Sequence, residues 1–371
     1  MFLWVLLILI DCLIVGGISE LWIRGFIPVK NIKWCIDSEL GNRYAPNQKS
    51  CGHVQKGYHN VFVTNSLGFH DIERTRAKAK GVFRIHIYGD SMTANPCVFT
   101  DETISAFLEK YLNAAALPIR FEVLNMGPGD DSTSAQILAF EKIGVYFEPD
   151  LVICYFMADF ADNLLEIHKR KYSAYHRITA SGELVYVPPL PKDTPIFFER
   201  FKRTSLLYRL LANKFLESKV YHDYLRIYNQ LSYAVERNNS RQNYEHINDY
   251  RKYRKKILTR KGWPLTLKLI EHFRDKVEEN NAQFLVVDGR EFSDNNVSPV
   301  YSNKDFEAFC TEKGINYIPG YKELFRLQSS GNSEEHFFVD QHPTALANEK
   351  ISLFLLEEIK RFLFTDNIVQ Q

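Results

Sequence analysis

The chain has 371 residues, of which 45% are hydrophobic and 25% are charged. Its 46 basic side chains nearly balance 45 acidic ones, which leaves a formal net charge of +1. This composition excludes a disordered protein and argues against a general nucleic-acid-binding protein. The length suits one large domain or two ordinary ones that carry a localised site.

An apolar segment opens the chain. Residues 2–17 read FLWVLLILIDCLIVGG and include one charged side chain, that of Asp11. A window extended to Ile23 reaches the roughly 20 residues that a membrane-spanning helix needs. No A-x-A cleavage site and no lipid-attachment pattern accompanies it. The segment therefore predicts an uncleaved transmembrane anchor over residues 1–24, with a buried helix of a soluble protein as the alternative.

Two features after this segment leave alternatives open. The basic residues Arg24, Lys30 and Lys33 follow it, and the positive-inside rule would hold them in the cytoplasm, against an exported domain. Cys35 and Cys51 flank a polar loop, where they form a disulfide if the domain is exported and remain two thiols otherwise.

From residue 81 onward, short apolar runs alternate with segments of helical periodicity. The predicted strands are 83–88, 121–127, 149–156, 282–288 and 315–319, and the predicted helices are 101–116, 132–147, 304–312 and 343–364. Strands that alternate with helices are typical of an open, mostly parallel sheet covered on both faces.

Two stretches lie outside this alternation, one before it and one within it. Residues 25–80 are polar and basic towards their end, and they predict an irregular connector. Residues 165–280 are rich in Tyr, Lys and Arg and mostly helix-forming, which predicts a helical insertion or cap. The main domain is therefore expected over residues 81–371, with that insertion inside it.

Two motifs point to nucleophilic chemistry. Gly89-Asp90-Ser91 follows the first predicted strand, at the edge where open parallel sheets bind ligands. Near the other end of the chain, Asp340 and His342 lie in a polar loop before the last helix. A serine nucleophile needs an imidazole to accept its proton, and the imidazole needs a carboxylate to orient it. We therefore expect Ser91 to be the nucleophile, His342 the general base and Asp340 its orienting acid.

Five blocks resemble the SGNH, or GDSL-like, hydrolase family, and within it the bacterial membrane-anchored branch. They are TNSLGFHD, RIHIYGDSMT, VLNMGPGDDSTSAQ, EPDLVICYFMADFADN and FFVDQHPTALANEK. The resemblance implies a three-layer α/β/α sandwich and acyl-ester substrates, from acetylated sugars to lipids. It implies the same three roles for Ser91, His342 and Asp340, and neither a metal ion nor an organic cofactor.

The resemblance also implies an oxyanion hole. The backbone N–H of Ser91 would join the N–H of a glycine in the second block, for which Gly129 is the first choice and Gly127 the alternative. Both glycines have a second interpretation, in which they shape only the turn after the strand.

The third block departs from the family pattern. An Asn normally precedes the Asp of this block and donates to the oxyanion, but here Ala158 precedes Asp159. Loss of one such donor typically costs about 100- to 1,000-fold in turnover. Asn163 is a possible substitute donor, with a helix cap as the alternative role.

The expected protein is a single-pass, membrane-anchored serine esterase whose domain lies outside the cytoplasm. It would remove an acyl group, first of all acetyl, from a cell-envelope glycan or lipid, with the membrane as a partner and no nucleic acid. The alternatives are an O-acyltransferase of exopolysaccharide assembly, to which Ala158 points, and a catalytically weak envelope-binding protein on the same scaffold.

Overall fold

The structure is a computed structural model. It describes residues 2–26, 31–55, 58–115, 117–129, 132–164, 172–189, 205, 207, 208, 211, 247–290, 301–320, 322, 323, 326, 327, 333–338 and 342–365. The chain divides into two compact units. The first comprises Met1–Lys33, Ser50–Val61 and Asp193–Arg251, and the second comprises Trp34–Lys49, Phe62–Lys192 and Lys252–Gln371.

The strands are β1 (Trp34–Asp37), β2 (Gly41–Tyr44), β3 (Lys49–Gln55), β4 (Tyr58–Val63), β5 (Val82–Gly89), β6 (Arg120–Asn125), β7 (Leu151–Phe156), β8 (Tyr175–Ile178), β9 (Leu184–Val187), β10 (Gln283–Asp288) and β11 (Asn316–Ile318). The helices are α1 (Phe2–Phe26), α2 (Ser91–Ala94), α3 (Ile104–Ala114), α4 (Thr133–Lys142), α5 (Ile247–Glu278), α6 (Asn303–Glu312), α7 (Ser333–His336) and α8 (Ala345–Thr365).

Helix α1 begins the first unit. Many of its apolar side chains are exposed to solvent, among them Leu13, Ile18 and Leu21. Among the described residues, no helix has both the length and the apolar character that crossing a membrane requires. The transmembrane anchor predicted over residues 1–24 therefore finds no support in the structure.

A parallel five-stranded sheet forms the centre of the second unit. Its strand order is β11-β10-β7-β5-β6, and every neighbouring pair is parallel. All five predicted strands are confirmed. The nearly continuous apolar sequence of β7, LVICYF, is buried at every position, as expected for a central strand covered on both faces.

The two faces of this sheet are covered by different helices. One core contains side chains of α4, α5 and α6, such as Phe140, Phe273 and Phe306. The other contains side chains of α3 and α8, such as Leu108 and Leu355. The three-layer α/β/α sandwich with a parallel sheet is thereby confirmed.

The predicted irregular connector is wrong in its central part. Strands β1 and β2 form an antiparallel hairpin, and β3 and β4 form a second two-stranded sheet. The first hairpin depends on local turn bonds, because the Asp37 carboxylate accepts the backbone N–H groups of Glu39 and Leu40. Gly41 then adopts a φ of +77°. Such short strands carry too few residues for an alternating pattern to stand out in sequence.

The predicted helical insertion is helical only in part. Its described residues include the antiparallel hairpin of β8 and β9 as well as the long helix α5. Gly182 lies in the hairpin turn with a φ of +84°, a backbone conformation that glycine adopts without strain. The final helix also begins later than predicted, at Ala345, because Pro343 forms an isolated β-bridge with Phe337.

Candidate active site

Ser91 is the first residue of α2, directly after the carboxyl end of β5. The preceding Asp90 caps the helix, because its carboxylate accepts the N–H of Met92 at 2.8 Å. The turn itself requires glycine at position 89, since an added Cβ would collide with the side chain of Thr93. Ser91 is therefore held, half-buried, on a tight strand-to-helix turn.

Two side chains from outside α2 satisfy carbonyl groups of this short helix. His70 donates from Nδ1 to the Ala94 carbonyl at 2.8 Å, and Asn125 donates from Nδ2 to the Thr93 carbonyl at 3.0 Å. A four-residue helix has hardly any internal hydrogen bonds of its own, so these contacts fix its orientation. Burial lowers the pKa of His70 to about 4, which keeps the ring neutral near pH 7.

A third contact ties α2 to the loop that carries His342. Asn95, at the end of α2, donates from Nδ2 to the carbonyl oxygen of Pro343 at 2.9 Å. The loop is closed by a backbone bond from the Phe338 N–H to the His342 carbonyl at 2.9 Å. The structure thus brings together the two segments to which the sequence assigns the nucleophile and the base.

The predicted triad is only partly described. His342 lies half-buried beside the end of the loop. Asp340 lies outside the described residues. In the described part of the chain, no hydrogen bond joins the Ser91 hydroxyl to a ring nitrogen of His342. The geometry therefore supports the proximity of the two segments rather than an assembled proton relay.

Both candidate oxyanion glycines follow β6, but they lie against different groups. A Cβ added at Gly127 would lie 2.8 Å from the backbone nitrogen of Ala94, so this glycine contacts the helix that begins with Ser91. Gly129 has a φ of +84°, and a Cβ there would lie 2.5 Å from the ring of Tyr44. Each position requires glycine, and Gly127 is the one whose backbone adjoins α2.

Ala158 follows β7 with a φ of +63°, in the left-handed region. Asparagine is several-fold enriched in this region, whereas alanine is strained there. The backbone thus has the conformation that an Asn adopts easily, although the side chain offers no donor. The next residue, Asp159, is buried and accepts a bond from Gln136 Nε2 at 3.3 Å.

Asn163 contacts α4 and α5. Its Oδ1 accepts the backbone N–H of Thr133 at 2.8 Å, at the first residue of α4. Its Nδ2 donates to the hydroxyl groups of Thr133 and Thr266. The side chain is 1% exposed. These bonds match the capping alternative rather than the role of a substitute oxyanion donor.

One buried acid at the same sheet edge escaped the sequence analysis. Asp288 ends β10 and accepts bonds from Asn303 Nδ2 at 2.6 Å and from the Tyr317 hydroxyl at 2.8 Å. Burial raises its pKa to about 7, although these hydrogen bonds oppose the shift. An acid directly after the apolar run FLVV was the available clue.

Among the described residues, no group of three or more His, Cys, Asp or Glu side chains could hold a metal ion. The aspartates of the second block, Asp130 and Asp131, lie outside the described residues.

Solved structures similar to this chain are esterases and acylhydrolases. The psychrotrophic esterase EstA from Pseudoalteromonas sp., inhibited by monoethylphosphonate, is 12% identical, with 76% of this chain and 98% of that chain covered and a TM-score of 0.40. A putative GDSL-like lipase from Parabacteroides merdae is 11% identical, with 76% and 96% covered and a TM-score of 0.37. The chain resembles GDSL-like acylhydrolases.

A two-domain esterase active on acetylated mannans is also similar, at 10% identity and a TM-score of 0.39, with 75% of this chain and 49% of that chain covered. No protein-family model matches the chain, and no curated protein matches it. At such identities and TM-scores, the function has to be argued from the residues of this chain.

Proposed function

We propose that this chain is a serine ester hydrolase that removes an acyl group from a cell-envelope glycan or lipid. Ser91 attacks the ester carbonyl carbon, and His342 accepts the hydroxyl proton. His342 then returns this proton to the departing alkoxide, and water hydrolyses the acyl-enzyme to release the acid and restore Ser91. Asp340 orients the imidazole in this scheme.

The observation that carries the proposal is the hydrogen bond from Asn95 to Pro343. It attaches the residue after His342 to the helix that begins with Ser91. Both segments lie where an open parallel sheet binds ligands, because α2 follows the carboxyl end of β5. A serine on a strand-to-helix turn with a histidine loop tied to the same helix supports acyl transfer, which would also need a hydrogen bond between the two side chains.

Oxyanion stabilisation is the weak point of this site. The backbone N–H groups of Ser91 and Gly129 are the candidate donors, because the Gly127 N–H already donates to Asn125 Oδ1 at 3.2 Å, whereas Ala158 supplies no side-chain donor. We therefore expect turnover that is slower by about 100- to 1,000-fold than that of an enzyme with the third donor.

The test uses the purified full-length chain and a short-chain aryl ester. We expect hydrolysis by the unmodified protein, loss of hydrolysis in Ser91→Ala, and no change in Ser38→Ala, which removes an exposed hydroxyl in the β1–β2 turn. An organophosphonate probe should label Ser91, as located by mass spectrometry of the digested protein. Absence of both hydrolysis and labelling would reject the proposal.

Attachment to the membrane through residues 1–24, with the catalytic domain outside the cytoplasm, belongs to the same proposal. It is supported by the apolar run of the sequence. Fractionation of cells that express the full chain or a chain without residues 2–24 tests the attachment. Digestion of the domain by protease added outside spheroplasts tests the orientation.

A second candidate function is O-acyl transfer to a sugar hydroxyl, and the residue that favours it is Ala158. An altered oxyanion pocket suits an acceptor other than water. Mass spectrometry of an oligosaccharide incubated with enzyme and donor ester separates the two functions, because transfer predicts an acylated oligosaccharide formed faster than free acid.

A further inference from the structure

A half-open cavity of about 210 Å³ lies between strand β8, helix α5 and the segment that follows β7. It is lined by Asn163, Leu164, Tyr175, His176, Arg177, Ile178, Lys261, Pro264 and Leu265. Its volume is below the roughly 300–1,000 Å³ of sites for drug-sized ligands, so it suits one sugar unit rather than a long acyl chain.

This cavity adjoins the segment that carries Ala158. Helix α5 packs against that segment so closely that a Cβ added at Gly262 would collide with the Phe160 carbonyl oxygen. Asn163, which lines the cavity, bonds to Thr266 of α5 and to the first residue of α4. A ligand in the cavity would therefore lie next to the segment after β7, which follows the strand that pairs with β5.

The cavity is positively charged at its rim. Arg177 and Lys261 are exposed, and neither forms an ion pair with a carboxylate of the described residues. None of the lining residues that the structure describes is acidic. Beneath them His176 is buried, and burial together with the neighbouring His272 lowers its pKa to about 4, which leaves a neutral ring with Nδ1 3.3 Å from Ser134 Oγ. The unpaired charges therefore favour an anionic group at the rim.

The remaining lining fits a sugar ring better than a bare anion. Leu164, Ile178 and Leu265 supply apolar surface, and Tyr175 supplies a flat ring with a polar tip.

We propose that this cavity binds a carboxylate-bearing sugar unit, so that the substrate of the esterase is an acylated acidic polysaccharide. The substrate assignment rests on the proposed function, whereas the binding site does not. The carboxylate pairs with Arg177 and Lys261 while the ring contacts Tyr175 and the apolar lining. The scissile ester then lies on the same or an adjacent sugar unit.

Binding is measured with Ser91→Ala full-length protein and unacylated oligogalacturonate, with mannan oligosaccharide as the neutral comparison, by isothermal titration calorimetry. We expect the acidic oligosaccharide to bind more tightly than the neutral one, with an affinity that falls as salt rises. Removal of the charges in Arg177→Gln/Lys261→Gln should weaken binding by about tenfold for each cation. Lys110→Gln/Arg120→Gln removes one exposed Lys and one exposed Arg from elsewhere in the domain and should leave binding unchanged.

Equal binding of the two oligosaccharides would overturn the proposal, as would equal loss in the two double variants. Competition by inorganic phosphate as strong as that by oligogalacturonate would also overturn it, because it would indicate a site for a bare anion. These measurements involve no hydrolysis, so failure of the esterase assay and failure of this site are distinguishable. If the esterase activity and the binding site are both confirmed, acetylated oligogalacturonate should show a lower KM than acetylated mannan. The double variant Arg177→Gln/Lys261→Gln should then raise KM more than it lowers kcat.

Discussion

The Asn95 amide and the Pro343 carbonyl oxygen join two segments that are 248 positions apart in the chain, at a distance of 2.9 Å. Asn95 has a φ of +32°, which a short polar side chain tolerates, and its Oδ1 also accepts the Cys97 N–H at 3.3 Å. A single neutral hydrogen bond contributes only about 1 kcal/mol to stability. Its greater effect here is on position, since it sets the distance between the Ser91 helix and the His342 loop.

Replacement of Asn95 by glycine tests that role. Glycine adopts the same backbone conformation without strain but removes the donor to Pro343. A shift of about 1 Å between reacting groups can cost about 100-fold in rate. We expect kcat for an aryl ester to fall by about 10- to 100-fold in Asn95→Gly, with a smaller change in KM.

Asn113→Gly is the matched control for this variant. Asn113 also bonds to backbone groups, donating to the Phe121 carbonyl and accepting its N–H at 3.0 Å, but it does so between α3 and β6. Its replacement should lower the unfolding free energy by about as much without lowering kcat. Equal kcat in the two variants would contradict a positioning role for Asn95.

His70 is expected to act as a second positioning residue, through its bond to Ala94. His70→Phe keeps the packing against Phe62, whose ring centroid is 4.7 Å away, and removes the donor to α2. We expect about a tenfold loss of kcat, with partial recovery in His70→Asn, whose amide can donate from a similar position. Because burial holds the pKa of His70 near 4, the pH profile of activity between about pH 6 and 8 should keep its shape in both variants. A profile that shifts would instead indicate a proton-transfer role.

Much of the fold could be predicted because it depends on long, repeated patterns. Strand β7 is buried on both faces and therefore consists of apolar residues throughout. The turn at Ser91 was predictable as well, because Gly, Asp and Ser directly follow a predicted strand. In both cases, the residues that indicate the structure are adjacent in the sequence.

The rest depends on contacts between residues that are remote in sequence. Nothing near Asn95 or His70 indicates that their side chains reach Pro343 and Ala94. Strands β1 and β2, with four residues each, are too short for a periodic pattern, and β3 and β4 mix polar with apolar residues instead of forming an apolar run. Asn163 could be assigned two roles until the structure showed its bonds to Thr133 and Thr266.

Ala158 offers the clearest route to a faster enzyme. Ala158→Asn should adopt the left-handed backbone more easily and introduce an amide that can donate to the oxyanion. We expect kcat for an aryl ester to rise by up to about 100-fold. Ala158→Gly removes the strain, which is roughly 1 kcal/mol, without adding a donor.

The comparison of these two variants separates backbone strain from oxyanion stabilisation. Ala158→Gly should raise the unfolding free energy, as measured with urea, and leave kcat nearly unchanged. If both variants raised kcat equally, the missing donor would not be what limits turnover.

Asp288 predicts how stability depends on pH. Its pKa in the folded protein, about 7, lies above the ordinary value of 3.8, because burial and the nearby Glu307 disfavour the ionised form. Its stabilising contribution is therefore complete below pH 3.8 and is lost as the pH rises through 7. Asn resembles the protonated acid in shape and still accepts from Asn303 and Tyr317. As the pH rises across this range, the unfolding free energy of the unmodified protein should therefore fall relative to that of Asp288→Asn, by at most about 1.4 kcal/mol per pH unit.

Urea unfolding of both proteins at about pH 5 and about pH 8 measures how the difference between their unfolding free energies changes with pH. The remaining titratable groups are common to both proteins, so most of their pH dependence cancels in the difference. Asp101→Asn, which neutralises an exposed carboxylate in a short 3-10 helix, serves as the control and should show little change in that difference. A difference for Asp288→Asn that stayed constant with pH would mean that Asp288 is already ionised in the folded protein at pH 5. The bonds from Asn303 and Tyr317 would then outweigh the cost of its burial.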